Sequence, residues 1–250
     1  MDILQLLFEE TGPDRAVRVY DTNELYGEKG RFRVLEFGND AIQGALDLNR
    51  PGRILFEYPR ALIHLMDLNR PAFENVFMIG QGIGTLPGHY PQKRFTVAEY
   101  DPLVAELSRT YFGYDRNPIH LGDGREILSE EPAASYDYVI LDAFTEQGTP
   151  RHLISREFFR LSRDKLRTDG VLLMNLFGKS VHDKQIGAVY TTLGDAFTCR
   201  KAFYLPSEGS RDTLNILLAA SNGPLTCQTR HMAGFVEFQP EQGYVIADRL

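Results

Sequence analysis

Three glycines and two acids occupy positions from which a nucleoside could be held. In VFMIGQGIGT, residues 76–85, Gly80, Gly82 and Gly84 follow an apolar run. Glycines between a buried strand and a helix let the backbone come close to a ligand, because no side chain holds it away. The next apolar run, FTVAE, ends on Glu99, 19 residues after Gly80. That is about the spacing at which a carboxylate reaches ribose hydroxyls in nucleotide-binding βαβ units. Thr85 stands where a phosphate-cradling fingerprint has its third glycine, so adenosine without a pyrophosphate suits the turn better than a dinucleotide. In HLGDGREIL, Asp123 follows another apolar run and is placed to accept from an adenine amino group. Taken singly, each feature is also met by a tight turn or a strand-end acid; together they line one crevice.

Such a crevice needs a sheet of parallel strands. From Pro71 the apolar runs VFMIG, FTVAE, YDYVILD and VLLMNLF alternate with helical patterns, as at 102–112 and 154–167, which predicts parallel strands joined by helical crossovers. TCRKAFYLP and TLNILLAAS are separated only by SEGSRD; this leaves no room for a crossover helix and predicts an antiparallel hairpin. Residues 1–70 lack the alternation. They hold short extended runs, AVRVYD and FRVLEF, between turn-rich pieces such as YGEKGR and FGND, which predicts a small β domain ahead of a Rossmann-like domain over 71–250.

The 250 residues, 43% hydrophobic, suffice for one full core and a small appendage. The net charge of −7 offers no general attraction to nucleic acid or to an anionic membrane. No stretch of eighteen apolar residues occurs and the N-terminal residues MDILQLLFEETG carry acids, so a cytoplasmic protein is expected. Cys199 and Cys227 are the only cysteines and lie far from any Cys/His cluster, so neither a disulfide framework nor a bound metal is expected. His64 and His89 lack a nucleophile at motif spacing, and the aromatics of RTYFGYDR, Tyr111, Phe112 and Tyr114, read as packing at a helix end.

From about Val17 to Ala220 the sequence resembles the polyamine aminopropyltransferases, the spermidine synthase family, built on the S-adenosylmethionine-dependent methyltransferase fold. The similarity lies in IGQGIGT, VAEYDP, LGDG, YDYVILDAF, GTP and LISREFFRLSRDKLRTDGVLL, with Gln43 and YPRALIH in the N-terminal part. The resemblance implies an α/β fold with a seven-stranded, mainly parallel sheet and the small N-terminal β domain. It implies transfer of an aminopropyl group from decarboxylated S-adenosylmethionine to an amine, leaving methylthioadenosine, and a homodimer. Donor contacts would fall on Gln43, Gly80, Gln81, Gly82, Gly84, Glu99, Tyr100, Asp123, Gly124 and Asp142. Acceptor contacts would fall on Tyr58, Arg60, His64 and Thr145, with Asp142 and Tyr58 catalytic. A carboxylate at Asp142 can accept the proton the amine must lose, a transfer that contributes roughly 10²–10⁴-fold in rate.

Several acids of the family pattern are replaced here. Ile83 stands in the glycine loop where the family has an aspartate, Thr145 where its catalytic segment has a second one, and Arg60 where it has a glutamate; Ile54 and Leu55 replace an acidic pair. Burying an ammonium without a partner costs several kcal/mol, so a diamine is expected to bind poorly unless Glu57 or Glu146 compensates. The Arg60 guanidinium suggests instead a carboxylate on the donor or on an amino-acid acceptor. The alternatives are a methyltransferase using intact S-adenosylmethionine, and a nucleoside-binding protein without turnover.

Overall fold

The computed structural model describes residues 3–12, 16–38, 41–115, 117–145, 148–206 and 213–248. Strands β1 (Ile3–Thr11), β2 (Ala16–Leu25), β3 (Glu28–Phe37) and β4 (Ala41–Asp47) form an antiparallel sheet in sequence order. In AVRVYD and FRVLEF, apolar Val17, Val19, Val34 and Leu35 are buried while Arg18 and Arg33 pair with Glu36 and Asp21.

Helix α1 (Glu57–Asn69) leads into the larger sheet. By packing it goes with that sheet: Ala61, Leu62, Leu65 and Met66 share one apolar cluster with Phe73, Val76, Met78 and Tyr138. The chain then alternates through β5 (Asn75–Ile79), α2 (Thr85–His89), β6 (Arg94–Glu99), α3 (Pro102–Phe112), β7 (Ile119–Leu121), α4 (Gly124–Glu130), β8 (Tyr136–Leu141), α5 (Arg156–Lys165), β9 (Leu166–Gly178) and α6 (Lys184–Leu193). It ends in β10 (Cys199–Tyr204), β11 (Leu214–Ser221) and the short β12 (Val236–Phe238).

The sheet order is β12-β10-β11-β9-β8-β5-β6-β7. Strands β5 to β9 pair in parallel, and β9, β11, β10 and β12 pair antiparallel. The hairpin of β10 and β11 is the one expected from TCRKAFYLP and TLNILLAAS; its turn lies outside the described residues. Seven strands follow the expected pattern, and three-residue β12 adds an eighth at the edge. Every residue of β8 is buried, as expected of a central parallel strand covered on both faces. One face packs α4, α5 and α6 through Leu128, Phe158, Phe159, Ile186 and Leu193. The other packs α1 and α2, with Met232 and Phe235.

Asp137 fixes the lower end of β8. Its carboxylate accepts from Arg70, Arg167 and the backbone N–H groups of Glu74 and Asn75, and these bonds hold its pKa below the ordinary carboxylate value despite burial. The small sheet is tied to α3 by an apolar cluster of Val17, Val19 and Leu35 with Leu107, joined by Ile83, Tyr111 and Phe112. The Arg33 guanidinium donates to Tyr111 O, and the Tyr111 hydroxyl donates to Leu7 O. The aromatics of RTYFGYDR therefore do pack at a helix end.

Candidate active site

Strand order reverses between β5 and β8: after β5 the chain runs outward through β6 and β7, then crosses back to place β8 on the other side of β5. Open α/β sheets bind ligands outside the carboxyl ends of strands at such a point. The two strand ends meet here, with Asp142 N–H donating to Ile79 O at 2.9 Å. Gly80 has φ +88, and a Cβ there would lie 2.1 Å from Asp142 O; any side chain would drive the strands apart. Gly84, at φ +82, lies against the Tyr114 ring.

The carboxylate of Glu99, at 8% exposure, lies under the glycine turn. One oxygen accepts from the Gln81 backbone N–H and the other from that of Asp101, both at 2.9 Å. These bonds position the acid beside bare backbone. Asp101 then caps α3 by accepting from Leu103 N–H, a role the types at 101–103 already suggest.

Asp123 caps α4, one oxygen accepting from the Arg125 and Glu126 N–H groups. Its other oxygen lies 2.7 Å from His152 Nε2. The structure thus adds His152 to the strand-end acid that the sequence singled out. His152 lies in a single 3-10 turn, Arg151–Leu153, 29 residues after Asp123, so only folding joins them. Arg125 in turn makes a bidentate pair with Asp248, drawing residues 243–248 across α5 and α6.

Asp142 is the acid nearest the centre of the crevice. Asn175 Nδ2 donates to its Oδ1 at 2.8 Å, and the Tyr58 hydroxyl bonds its carboxylate. Asn215 donates to Asn175 Oδ1 at 2.6 Å, which fixes the Asn175 amide with its N–H group toward Asp142. The sequence carried a signal for Asn175, a lone polar residue within VLLMNLF, and buried polar residues are the informative exceptions. Burial raises the Asp142 pKa to about 6, with Glu99 adding to the rise and the bonds from Asn175 and Tyr58 opposing it. Burial and the same carboxylate push the Tyr58 hydroxyl well above its usual value, so it stays protonated as a donor.

A pocket beside Asp142 is lined from both sheets: Gln43 and Gly44 of β4, Tyr58 and Pro59 of α1, and Gln81 to Ile83 of the glycine turn. A Cβ on Gly44 would meet Ile83 at 2.6 Å, so glycine there lets the small sheet close on the turn. Gln81 is 3% exposed; its Nε2 donates to Ser108 Oγ at 2.6 Å, while its Oε1 has no partner among the described residues.

With the geometry of the cleft in view, comparison with known proteins is decisive. The spermine/spermidine synthase domain profile matches residues 55–208. The chain belongs to the spermine/spermidine synthase family. It is 30% identical over 181 residues to a polyamine aminopropyltransferase of Vibrio vulnificus, a match covering 68% of this chain and 59% of that protein. The chain therefore spans about three-fifths of the length of that curated relative. A probable spermidine synthase from Corynebacterium glutamicum superimposes with TM-score 0.73 at 21% identity, covering 90% of this chain and 82% of the other. Human Methyltransferase-like protein 13, solved in complex with SAH, superimposes with TM-score 0.53 at 20% identity over 70% of this chain and 86% of the other. Both likenesses show the methyltransferase-like α/β fold.

Against the family pattern, the structure brings together Gln43, Tyr58, Gln81, Gly82 and Asp142, with Gly80 and Glu99 beneath them. Gly124 sits behind Asp123, where a Cβ would strike Ile79, so its lack of a side chain serves packing. Tyr100 is 79% exposed beside Glu99. Three residues named for the acceptor lie elsewhere. Arg60 is exposed and donates to Glu57 at 2.8 Å and to Phe56 O; the turn of helix between them makes this local pair easier than reaching the cleft. His64 accepts from Gln228 N–H and lies against His231. Thr145 donates to Gly148 O and is exposed, lining a separate groove with Tyr244 and Ile246. Glu146 lies outside the described residues. No group of three metal-ligating side chains occurs among the described residues, and no described helix is long and apolar enough to cross a membrane.

Proposed function

We propose that this chain is an aminopropyltransferase that takes decarboxylated S-adenosylmethionine as donor and a small amine as acceptor. One observation carries the reading: Asp142 is held by Asn175 and Tyr58 in a buried crevice formed by bare glycine backbone, with its pKa raised to about 6. An amine must be neutral to attack carbon, and a carboxylate whose pKa approaches neutrality is a better proton acceptor than an ordinary aspartate. The residues present fit a nucleoside: Gly80 offers backbone where a Cβ cannot stand, and the Glu99 carboxylate is fixed beside that backbone by the Gln81 N–H.

In this reading Glu99 and Asp123 hold the ribose and adenine, with Gly82, Gly84, Tyr100 and Gly124 shaping that half of the site. Gln43 covers it from the small sheet. Asp142 takes a proton from the acceptor, and Tyr58 keeps that carboxylate oriented. The Asp142 carboxylate also favours the donor's positive sulfur, and fixing the amine beside the reacting carbon supplies much of the remaining rate. The small sheet of β1 to β4 would close over the Rossmann-like domain, with which α1 packs, and we assign the protein to the cytoplasm as a homodimer, without metal, nucleic acid or membrane as partner.

Incubation with decarboxylated or intact S-adenosylmethionine and a panel of amines, followed by mass spectrometry of the nucleoside product, tests this. Methylthioadenosine is the expected product. S-adenosylhomocysteine would instead assign methyl transfer, and absence of either product would leave a nucleoside-binding protein.

A further inference from the structure

Asp123 is held on both of its oxygens, and only one of them by its own helix. Oδ1 accepts from the Arg125 and Glu126 N–H groups at the start of α4, which by itself leaves the carboxylate plane free to turn about Cβ–Cγ. His152 Nε2, 2.7 Å from Oδ2, removes that freedom. A carboxylate only accepts, so Nε2 carries the hydrogen. Oδ2 keeps a second lone pair, and the side chain stays part-exposed.

His152 is itself anchored. Its turn is seated by buried Leu153 and Ile154, and its carbonyl accepts from Arg125 at 3.0 Å. The same guanidinium forks onto the Asp248 carboxylate at 2.9 and 2.6 Å. Asp248 belongs to a segment bonded along its length: Gly243 N–H donates to Thr191, Ile246 N–H to Thr192 and Asp248 N–H to Glu157. A Cβ on Gly243 would lie 2.4 Å from Ala188 N, so glycine lets this segment settle on α6.

Resting on the reading that Asp123 holds the adenine, we infer that His152 is a positioning residue for the nucleoside and that Asp248 supports it through Arg125. Bonds on both oxygens set Oδ2, before any ligand arrives, where a 6-amino group can donate to it. Without His152 the carboxylate has to be ordered during binding, and that ordering is taken from the affinity. Arg125 and Asp248 act on Asp123 by holding the turn that carries His152.

Calorimetry tests this with methylthioadenosine and with methylthioinosine, which carries an accepting oxygen in place of the 6-amino group. The wild type is expected to favour methylthioadenosine at least about tenfold, since an oxygen facing a carboxylate has nothing to donate. The donorless variants His152→Ala and His152→Leu, each checked for folding by thermal melting, should weaken methylthioadenosine about tenfold and methylthioinosine less than about threefold. His152→Gln, whose amide can donate to Oδ2, should recover most of the loss. Asp248→Ala should give a smaller loss of the same kind, about threefold, and none beyond that of His152→Ala when the two are combined.

Equal losses for both nucleosides overturn the inference, because a general structural defect would produce them. Unaltered or tighter methylthioadenosine binding also overturns it, since His152 would then compete with the ligand for Oδ2, and so does a glutamine variant no better than alanine. Additive losses in the double variant overturn the part given to Asp248. A wild type that binds both nucleosides alike refutes Asp123 as the group that accepts from adenine, and the inference with it; one that binds neither refutes the nucleoside site itself.

Discussion

Replacing Asp142 by asparagine should make the protein more stable and inactive at once. The ordinary aspartate value is 3.8, and in the folded crevice it rises to about 6 because burial disfavours the charged form. A folded-state value above the unfolded one means that the native protein binds the proton more tightly, so stability falls as pH rises from about 4 through about 6 and then levels off. The difference between 3.8 and about 6 corresponds to about 3 kcal/mol. The side chain keeps some surface open along the cleft, where water offsets part of the penalty, leaving ~2 kcal/mol at pH 8. Asparagine fits the same bonds: its oxygen accepts from Asn175 Nδ2 as Asp142 Oδ1 does, and its amide can donate to the Tyr58 oxygen. Asp142→Asn should therefore raise Tm by roughly 5 °C at pH 8, on the scale of about 2–4 °C per kcal/mol for a chain of this size. The gain should shrink to nothing near pH 4. Denaturant unfolding of both proteins from pH 4 to 8, without ligand, measures the difference directly. A pH-independent difference, or a variant less stable at pH 8, would refute the account of Asp142 as a strained carboxylate. The same proton governs catalysis in the proposed mechanism: kcat/KM of the wild type should rise with pH through about 6, and the variant should lose roughly 10²–10⁴-fold.

Gly80→Ala places a methyl 2.1 Å from Asp142 O at φ +88, and should abolish methylthioadenosine binding by calorimetry; affinity within threefold of wild type would show that the strand ends need not touch. Glu99→Gln offers one accepting oxygen to two backbone N–H groups, those of Gln81 and Asp101. One donor is left unpaired at a cost of about 1–3 kcal/mol, and nucleoside affinity should fall at least tenfold; an unaltered melting curve would contradict this. Asp137→Ala removes the partner of Arg70 and Arg167 far from the cleft, and urea unfolding should show a loss of roughly 3–5 kcal/mol, with surviving folded protein still binding nucleoside normally. Because bonding depresses the Asp137 pKa, the wild type should lose this contribution as pH falls below about 4, not as it rises.

The local pattern of the chain determined much of this. Alternating apolar runs and helical stretches require a parallel sheet, because a right-handed crossover is the short path between parallel strands. The glycines of IGQGIGT, with Glu99 and Asp123 at the following strand ends, fix one crevice once that sheet exists, since strand ends on one edge face the same solvent side. These are effects of neighbours in sequence, and short-range order records them. Contacts between distant segments left weaker marks. Asn175 and Asn215 lie 40 residues apart and orient Asp142 only because β9 and β11 pair in one register. His152 meets Asp123 across 29 residues that include α4 and β8. Arg60, three residues from Glu57 on one helix, takes that partner in preference to the cleft two residues away at Tyr58: one helical position is a turn of about 100°, and direction around α1 decides what spacing along it cannot. The character of the pocket beside Asp142 is likewise tertiary. It depends on Gly44 of one sheet pressing against Ile83 of the other, and the free energy of a charge there is set by which atoms surround it in space.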